Sequence, residues 1–310
     1  MKSHYWPAPA GLLVAGGALA ALGLLLSPGM LGGKLAPGAL FPLSVAVGAV
    51  GGALLLVAMA AIVVPHGRAA TAYQGYGSHA TIVGLTLLAG VGSVGVVLPA
   101  VIPVLAVAPS PLAKAAVLVL NTAVLDAVLV GVVYFRVVRP GVITWHDMGL
   151  SASALLLVWR MGRWMGVGLL LVAATVGLFL VAALVELALQ TLGIRQTQLD
   201  GFQWLAAVPP WLFALVVVAA AVVAPIAEEI YFRGYVFRAY YEQKGALQAY
   251  VFSAALFALV HLNLPAFFPI FAVGLFLAYV YRRTNSILPG MLAHAINNAL
   301  AFSALYFGAR

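Results

Sequence analysis

The sequence predicts an all-α fold, a polytopic bundle of transmembrane helices. Of the 310 residues, 65% are hydrophobic and only 7% are charged, whereas soluble domains carry about 25% charged residues. The apolar residues form long runs separated by polar or Pro- and Gly-rich breaks. Because about 20 apolar residues suffice to cross a bilayer, we expect about nine spans and one further helix in the membrane interface.

The candidate spans follow one another along the whole chain. They cover residues 8–26, 39–64, 80–107, 112–135, 166–190, 205–237, 246–262, 266–281 and 288–307. The first run contains Ala18-Leu19-Ala20, which is compatible with a signal-peptidase site. It is also long enough to span, so we expect a retained first helix. The segment from Trp145 to Trp164 carries four charged or imidazole side chains between its terminal Trp residues, which favours a helix lying in the interface.

A change in composition near residues 140–165 divides the chain. Residues 1–139 contain one acidic residue, Asp126, and the other acids come later. We predict an N-terminal four-helix transmembrane unit of unknown role over 1–139, an interfacial helix or linker over 140–165, and a transmembrane core over 166–310 that carries the chemistry. For Asp126, with Asn121 nearby, we expect interhelical hydrogen bonds rather than a proton path.

The distribution of basic residues predicts the orientation. With the N-terminus inside, eleven of the 15 Lys and Arg residues fall inside and four outside, which is the bias of cytoplasmic loops. The eleven are Lys2, Arg68, Arg136, Arg139, Arg160, Arg163, Arg233, Arg238, Lys244, Arg282 and Arg283. We expect an integral protein of a prokaryotic plasma membrane with the N-terminus inside and the C-terminus outside. The net charge of +8 therefore indicates topology, with the bilayer as partner and no nucleic acid. The absence of cysteine excludes disulfides and thiolate metal sites.

Two adjacent carboxylates and an arginine occur at membrane depth in the second half. Glu228, Glu229 and Arg233 follow the uncharged run 211–223. An acidic side chain at the centre of a transmembrane helix costs about 2.5–3.5 kcal/mol, so such groups are usually paired and functional. Glu229 and Arg233 are four residues apart and can form an ion pair. Glu228 is rotated by about 100° from Glu229, so it can face a cavity and act on a water. A purely structural ion-pair network is the alternative.

Two later stretches place polar groups at a comparable depth. His261 and His294 are the two of six histidines that fall inside predicted apolar helices, and Asn298 is four residues beyond His294. Measured from the nearest turn, Glu228 and His261 are about 22 and 27 Å deep, and His294 and Asn298 about 14 and 20 Å. A carboxylate with an imidazole can hold and deprotonate a water. A second imidazole with an amide can donate hydrogen bonds to a developing oxyanion.

The three motifs in order resemble a known family. Glu-Glu-x-x-x-Arg, Phe-x-x-x-His and His-x-x-x-Asn, on consecutive helix hairpins over about residues 205–305, are similar to the CPBP (Abi) family of intramembrane proteases, which includes the type II CAAX prenyl endopeptidases. The linking stretch 284–289 is typical of the family as well. The resemblance implies hydrolysis of a peptide bond within the membrane, in a membrane peptide or a protein tail that enters from the inner leaflet or cytoplasm. A prenylated tail is the substrate of some relatives.

The resemblance also implies roles for individual residues. Glu228 and His261 would activate the water, directly or through a divalent metal. His294 and Asn298 would stabilise the oxyanion or complete the metal shell. The residues expected to support these groups are Glu229 and Arg233, as an ion pair behind them, and Phe257, packed beside His261.

Whether a metal is needed stays open at this point. The candidate ligands are Glu228, His261 and His294, and zinc is the candidate ion. Two His, one Glu and one Asn fit zinc only loosely, since Asn is a rare zinc ligand, and metal-independent members of the family are the other alternative.

Two further functions compete with a protease. A transporter would share the buried Glu, His and Asp, but the sequence has no pair of matching broken segments of the kind that inverted repeats contain. A non-catalytic membrane scaffold, acting in secretion or in immunity to a peptide toxin, would not need all four catalytic-type groups. Uptake by vesicles without peptide cleavage would favour the transporter.

Overall fold

The computed structural model describes residues 75–107, 110–150, 200–263 and 266–308, together with isolated positions before residue 53 and between residues 176 and 191. Every regular element in these stretches is helical, as the composition predicted. The predicted spans 8–26, 39–64 and 166–190 lie outside the continuous described stretches. Their number therefore stays a prediction.

The first two described helices form a hairpin. Helix α1 covers His79–Val107 and helix α2 covers Pro111–Val133. Ser110 caps α2, because its hydroxyl oxygen accepts a hydrogen bond from the amide of Ala113 at 3.2 Å, and Pro111 stands where no amide donor is needed. A π-helical turn, Tyr134–Val138, prolongs α2.

Residues 139–150 form a series of turns that pack against the far end of the chain. The Thr144 amide and hydroxyl both donate to the Asp147 carboxylate, at 2.8 and 2.7 Å, and hold the pKa of Asp147 below its usual value. The Met148 carbonyl accepts from the Ile287 amide at 3.2 Å. The described part of the predicted interfacial segment is therefore not helical, and residues 151–164 lie outside the described residues.

Helix α3, Pro210–Lys244, is the longest helix in the described stretches. A 3₁₀ helix, Asp200–Ala207, precedes it, and α3 begins at Pro210 because consecutive prolines cannot continue the preceding turn. The predicted span 205–237 thus starts five residues before α3 begins and stops seven residues before α3 ends. Two π-helical segments, Val218–Val223 and Ile230–Phe237, flank the α-helical turn Ala224–Glu229.

Three helices complete the described fold. They are α4, Ala246–Val260, α5, Phe267–Thr284, and α6, Ile287–Gly308. At Gly274 of α5, an added Cβ would lie 2.9 Å from the Ala254 Cα, so glycine is needed for this close contact between α4 and α5.

The N-terminal hairpin is attached to α3 by buried tyrosines. The hydroxyl groups of Tyr231 and Thr86 are 2.8 Å apart, and the Tyr235 hydroxyl donates to the Tyr76 carbonyl at 2.8 Å. The three tyrosines belong to the main hydrophobic core, which also contains aliphatic residues of the hairpin and of the second half. The hairpin and the second half therefore share one core.

Two helices in the described stretches are long and apolar enough to cross a membrane, namely Pro111–Val138 and Pro210–Lys244. Shorter apolar helices, His79–Gly95 and Ala246–Val260, accompany them. These lengths and compositions agree with a helical membrane protein. The predicted count of about nine spans is not confirmed.

Candidate active site

The paired glutamates lie on the short α-helical turn between the two π segments of α3. Glu229 is fully buried, and Glu228 is 8% exposed. A π segment shifts the helical register by the equivalent of one residue, and such bulges often occur at functional sites. Because adjacent residues of a helix are about 100° apart, the two side chains point to different surroundings, Glu229 into the protein and Glu228 toward a cavity.

Glu229 forms the ion pair with Arg233 that the spacing predicted. Arg233 Nη1 is 2.9 Å from Glu229 Oε1, and both side chains are inaccessible to solvent. Arg233 Nη2 also donates to the Gly274 carbonyl at 3.0 Å, and the guanidinium lies 4.7 Å from the centre of the Phe257 ring. The arginine is therefore held by groups from α3, α4 and α5.

His294 of α6 lies between the two glutamates. Its Nε2 is 3.6 Å from Glu228 Oε2, and its Nδ1 is 3.4 Å from Glu229 Oε1. The ring is 3% exposed and packs against Phe257, with 5.5 Å between ring centres. This single imidazole connects the buried ion pair to the carboxylate at the cavity.

His261 lies just beyond the last residue of α4, and not inside an apolar helix as its place in the predicted span 246–262 implied. His261 is exposed, and its Nδ1 donates to the Phe257 carbonyl at 2.8 Å. Because a carbonyl oxygen only accepts, Nδ1 carries the proton, and the Nε2 of the neutral ring is left as an acceptor. Phe257 also packs on His261, with 5.0 Å between ring centres.

Asn298 satisfies a carbonyl group that the π segment leaves open. In this segment the Ala224 amide donates to the Ala219 carbonyl, five residues back. The next amide in that pattern would be that of Pro225, which has no N–H. The Ala220 carbonyl instead accepts from Asn298 Nδ2 at 3.0 Å, so one N–H of the Asn298 carboxamide remains for another partner.

The four residues that the sequence motifs singled out as catalytic line one cavity of about 400 Å³. They are Glu228, His261, His294 and Asn298. The cavity is also lined by residues of α1 and α2 that the motifs did not include, namely Gly90, Ser93, Val94, Asn121, Thr122, Leu125 and Leu129. Asn121 and Thr122, two adjacent polar residues in a predominantly apolar helix, were the signal in the sequence for this wall.

Two other expectations concern metal binding and Asp126. Within the described stretches, no three His, Cys, Asp or Glu side chains are placed to hold a metal ion.

Asp126 is 7% exposed, and its carboxylate oxygens have no hydrogen-bond partner among the described residues. The interhelical hydrogen bonds expected for Asp126 are therefore not found in this part of the chain.

Comparison with known proteins finds similarity over the segment that contains the four cavity residues of the motifs. Residues 210–300 match the model of the family "Type II CAAX prenyl endopeptidase Rce1-like", which confirms the resemblance for this segment. A stretch of 84 residues is 34% identical to the "Putative membrane peptidase YdiL" of Bacillus subtilis (strain 168) and covers 27% of this chain. The chain spans about a third, 34%, of the length of that relative. No solved structure matches.

Proposed function

We propose that the protein is an intramembrane endopeptidase that uses Glu228 as its general base. The observation that carries this proposal is the 3.6 Å approach of Glu228 Oε2 to His294 Nε2 at a cavity that His261 and Asn298 also line. A carboxylate, two imidazoles and a carboxamide around one cavity form a set suited to hydrolysis of an acyl group. The family match of residues 210–300 supports a peptide bond as the target.

In the proposed reaction a water in the cavity attacks the carbonyl carbon of the scissile bond. Glu228 takes one proton of that water, and the neutral Nε2 of His261 accepts a hydrogen bond that orients it. The tetrahedral intermediate carries its negative charge on the former carbonyl oxygen, to which the free N–H of Asn298 donates, together with the Nε2–H of His294 as an imidazolium whose Nδ1–H faces Glu229. Glu228 then returns its proton to the leaving nitrogen, the C–N bond breaks, and a carboxylic acid and an amine are released.

The buried ion pair holds the reacting groups in place. Glu229 is neutralised by Arg233 and contacts His294 Nδ1 at 3.4 Å. An imidazole whose other nitrogen faces a carboxylate has a fixed orientation, as in hydrolases that use a carboxylate behind a histidine. Phe257 contacts both histidines and Arg233, so it fixes their relative positions by packing.

The reaction is proposed without a metal ion. Two ligands that bind one zinc ion at about 2.0–2.2 Å lie roughly 3.5 Å from each other, so the 3.6 Å between Glu228 Oε2 and His294 Nε2 does not by itself argue against an ion. His294 Nδ1 is directed to Glu229, however, and among the described residues no group of three His, Cys, Asp or Glu side chains is placed to complete a metal shell. The proton transfers above therefore involve only the water, Glu228 and the leaving nitrogen, with the histidines as hydrogen-bond partners.

The substrate is proposed to be a membrane peptide or a protein tail that reaches the cavity from the inner leaflet. A prenylated tail is one form of it, suggested by the name of the matched family. The inward placement of the N-terminus, inferred from the basic residues, belongs to the same proposal.

A matched pair of variants tests the function. Purified full-length protein in lipid vesicles is incubated with a pool of membrane peptides, and mass spectrometry identifies the cleaved bonds. We expect Glu228→Gln to lower the cleavage rate at least 100-fold, because general-base catalysis contributes about 10²–10⁴-fold. Glu242→Gln is the control, since it makes the same change outside the cavity, and it should keep the wild-type rate. Equal rates for the wild type and Glu228→Gln would overturn the assignment. Activity that a chelator abolishes would overturn the metal-independent form.

A further inference from the structure

Part of the cavity wall is built by α2, a helix outside the segment 210–300 that matches the protease family. Asn121 and Thr122 contribute a carboxamide and a hydroxyl to this wall, and Leu125 and Leu129 contribute apolar surface. The catalytic-type groups come from α3, α6 and the end of α4. The N-terminal helices therefore do more than surround the second half, since the cavity is incomplete without them.

The two polar side chains of this wall have unused hydrogen-bonding capacity. Asn121 and Thr122 are partly buried, and neither side chain has a hydrogen-bond partner among the residues that the structure describes. A polar group in an apolar setting without a partner costs free energy. Asn298, by contrast, already donates one N–H to the Ala220 carbonyl. The unused groups of α2 are thus available to a molecule in the cavity.

A peptide that is cleaved inside a membrane needs such partners. In a helix the scissile carbonyl is shielded, so the substrate must be extended near the cleaved bond. Its backbone N–H and C=O groups then lose their helical partners, and in a water-poor region each must find another. A carboxamide supplies both a donor and an acceptor, and a hydroxyl can supply either.

Resting on the proposed function, we propose that Asn121 and Thr122 bind the main chain of an extended, apolar peptide next to the scissile bond. Asn121 Oδ1 accepts from a substrate N–H, and Asn121 Nδ2 or the Thr122 hydroxyl donates to a substrate C=O. Leu125 and Leu129 contact an apolar side chain of the same segment. Asn121 and Thr122 are substrate-binding residues and do not touch the reacting atoms.

Variants of α2 give the first test. Asn121→Leu and Thr122→Val, in the full-length protein in lipid, are compared with Leu120→Ala, a neighbour that is 47% exposed and lies outside the cavity lining. Removing one hydrogen bond to the main chain should lower kcat/KM about 3- to 10-fold, mainly through KM. Asn121→Gln, which keeps the carboxamide, should recover part of the loss, and Leu120→Ala should equal the wild type.

A substrate change tests the contact itself. The amide that neighbours the scissile bond is replaced by an ester, which removes its N–H. If Asn121 binds this N–H, the ester lowers kcat/KM for the wild type but has little further effect on Asn121→Leu, so the two changes are not additive. Additive losses at every amide tested would overturn the proposal. Thr122→Val is nearly isosteric and keeps the proposal testable if Asn121→Leu fails to fold. Its cycle uses a thioamide in place of the amide whose C=O Thr122 binds, because sulfur is the weaker acceptor.

The outcomes separate this subsite from the function on which it depends. If the wild type cleaves no peptide and Glu228→Gln changes nothing, the proposed function fails. If the wild type cleaves and Glu228→Gln does not, but Asn121→Leu and Thr122→Val retain the wild-type KM, only the subsite is overturned.

Discussion

Gly290 of α6 lies directly against the carboxylate of Glu229. A Cβ at this position would be 2.8 Å from Glu229 Oε2, and that oxygen belongs to a fully buried side chain paired with Arg233. Glycine at 290 is therefore what allows α6 to bring His294 close to both glutamates. The close packing of α3 and α6 at Gly290 is therefore a condition for the geometry of the candidate site.

Gly290→Ala should lower both activity and stability. Because the buried carboxylate cannot move freely, overpacking should cost about 1–3 kcal/mol and displace Glu229 from His294. Thermal unfolding in detergent and the peptide-cleavage assay measure the two effects. Gly84→Ala is the matched control, since a Cβ there meets nothing within 4 Å, and it should be neutral or slightly stabilising. Equal behaviour of the two variants would contradict this account of Gly290.

Arg233→Met should destabilise the protein strongly. It leaves Glu229 buried without its partner, and breaking a buried pair from one side costs about 3–5 kcal/mol. The double variant Glu229→Met/Arg233→Met should recover most of this loss because no unpaired charge remains. Denaturant or thermal unfolding gives the comparison. Arg282→Met, at an exposed arginine, should cost about 1 kcal/mol or less. A double variant as unstable as Arg233→Met would show that the pair itself is not the cause.

Pro225→Ala should make the Asn298 side chain less important for stability. In the wild type, Asn298→Leu leaves the Ala220 carbonyl without its side-chain donor, at a cost of about 1–3 kcal/mol. An alanine at 225 supplies the missing N–H, so the same Asn298→Leu change should then cost much less. A double-mutant cycle on unfolding free energies measures this coupling. Additive effects would mean that Pro225 does not leave this carbonyl open.

Gly149→Ala should destabilise more than Gly141→Ala. Both glycines have positive φ, +81° and +77°, but a Cβ at 149 would overlap the Ser286 Cα, whereas one at 141 meets nothing within 4 Å. Gly141→Ala should therefore lower the free energy of unfolding only by the strain of a left-handed backbone, about 1–2 kcal/mol. Gly149→Ala should lower it further, because the added methyl group also pushes the turn region away from α6. Thermal unfolding of the two variants measures the difference. Equal losses would show that the contact with Ser286 is unimportant.

Stability should depend on Asp147 in acid. Hydrogen bonds from Thr144 lower the pKa of Asp147, so the folded state favours the ionised form. This contribution is fully present above the unfolded pKa, near 3.9, and is lost as the pH falls through the lower folded pKa. The stability difference between the wild type and Asp147→Asn should be constant above about pH 5 and shrink below pH 4. A difference that grows in acid would contradict this sign.

The sequence predicted most of the described helices because long apolar runs are local features of the chain, and the roles of the site residues remain predictions. Residues 80–107, 112–135, 246–262, 266–281 and 288–307 are predicted spans that coincide closely with helices. The start of α3 at Pro210 was missed because an apolar run does not reveal where a 3₁₀ turn separates from a helix. The position of His261 after the end of α4 was missed for a similar reason.

The sequence by itself determined an apolar helical chain, the Glu229–Arg233 pair and the family resemblance of its second half. Spacing along one helix suffices for these, since residues four apart share a face. Only the tertiary structure decided that His294 lies between both glutamates, that Asn298 satisfies the Ala220 carbonyl, and that Asn121 reaches the same cavity. These contacts depend on how helices cross and on small residues that let them approach, which no spacing within a single helix specifies.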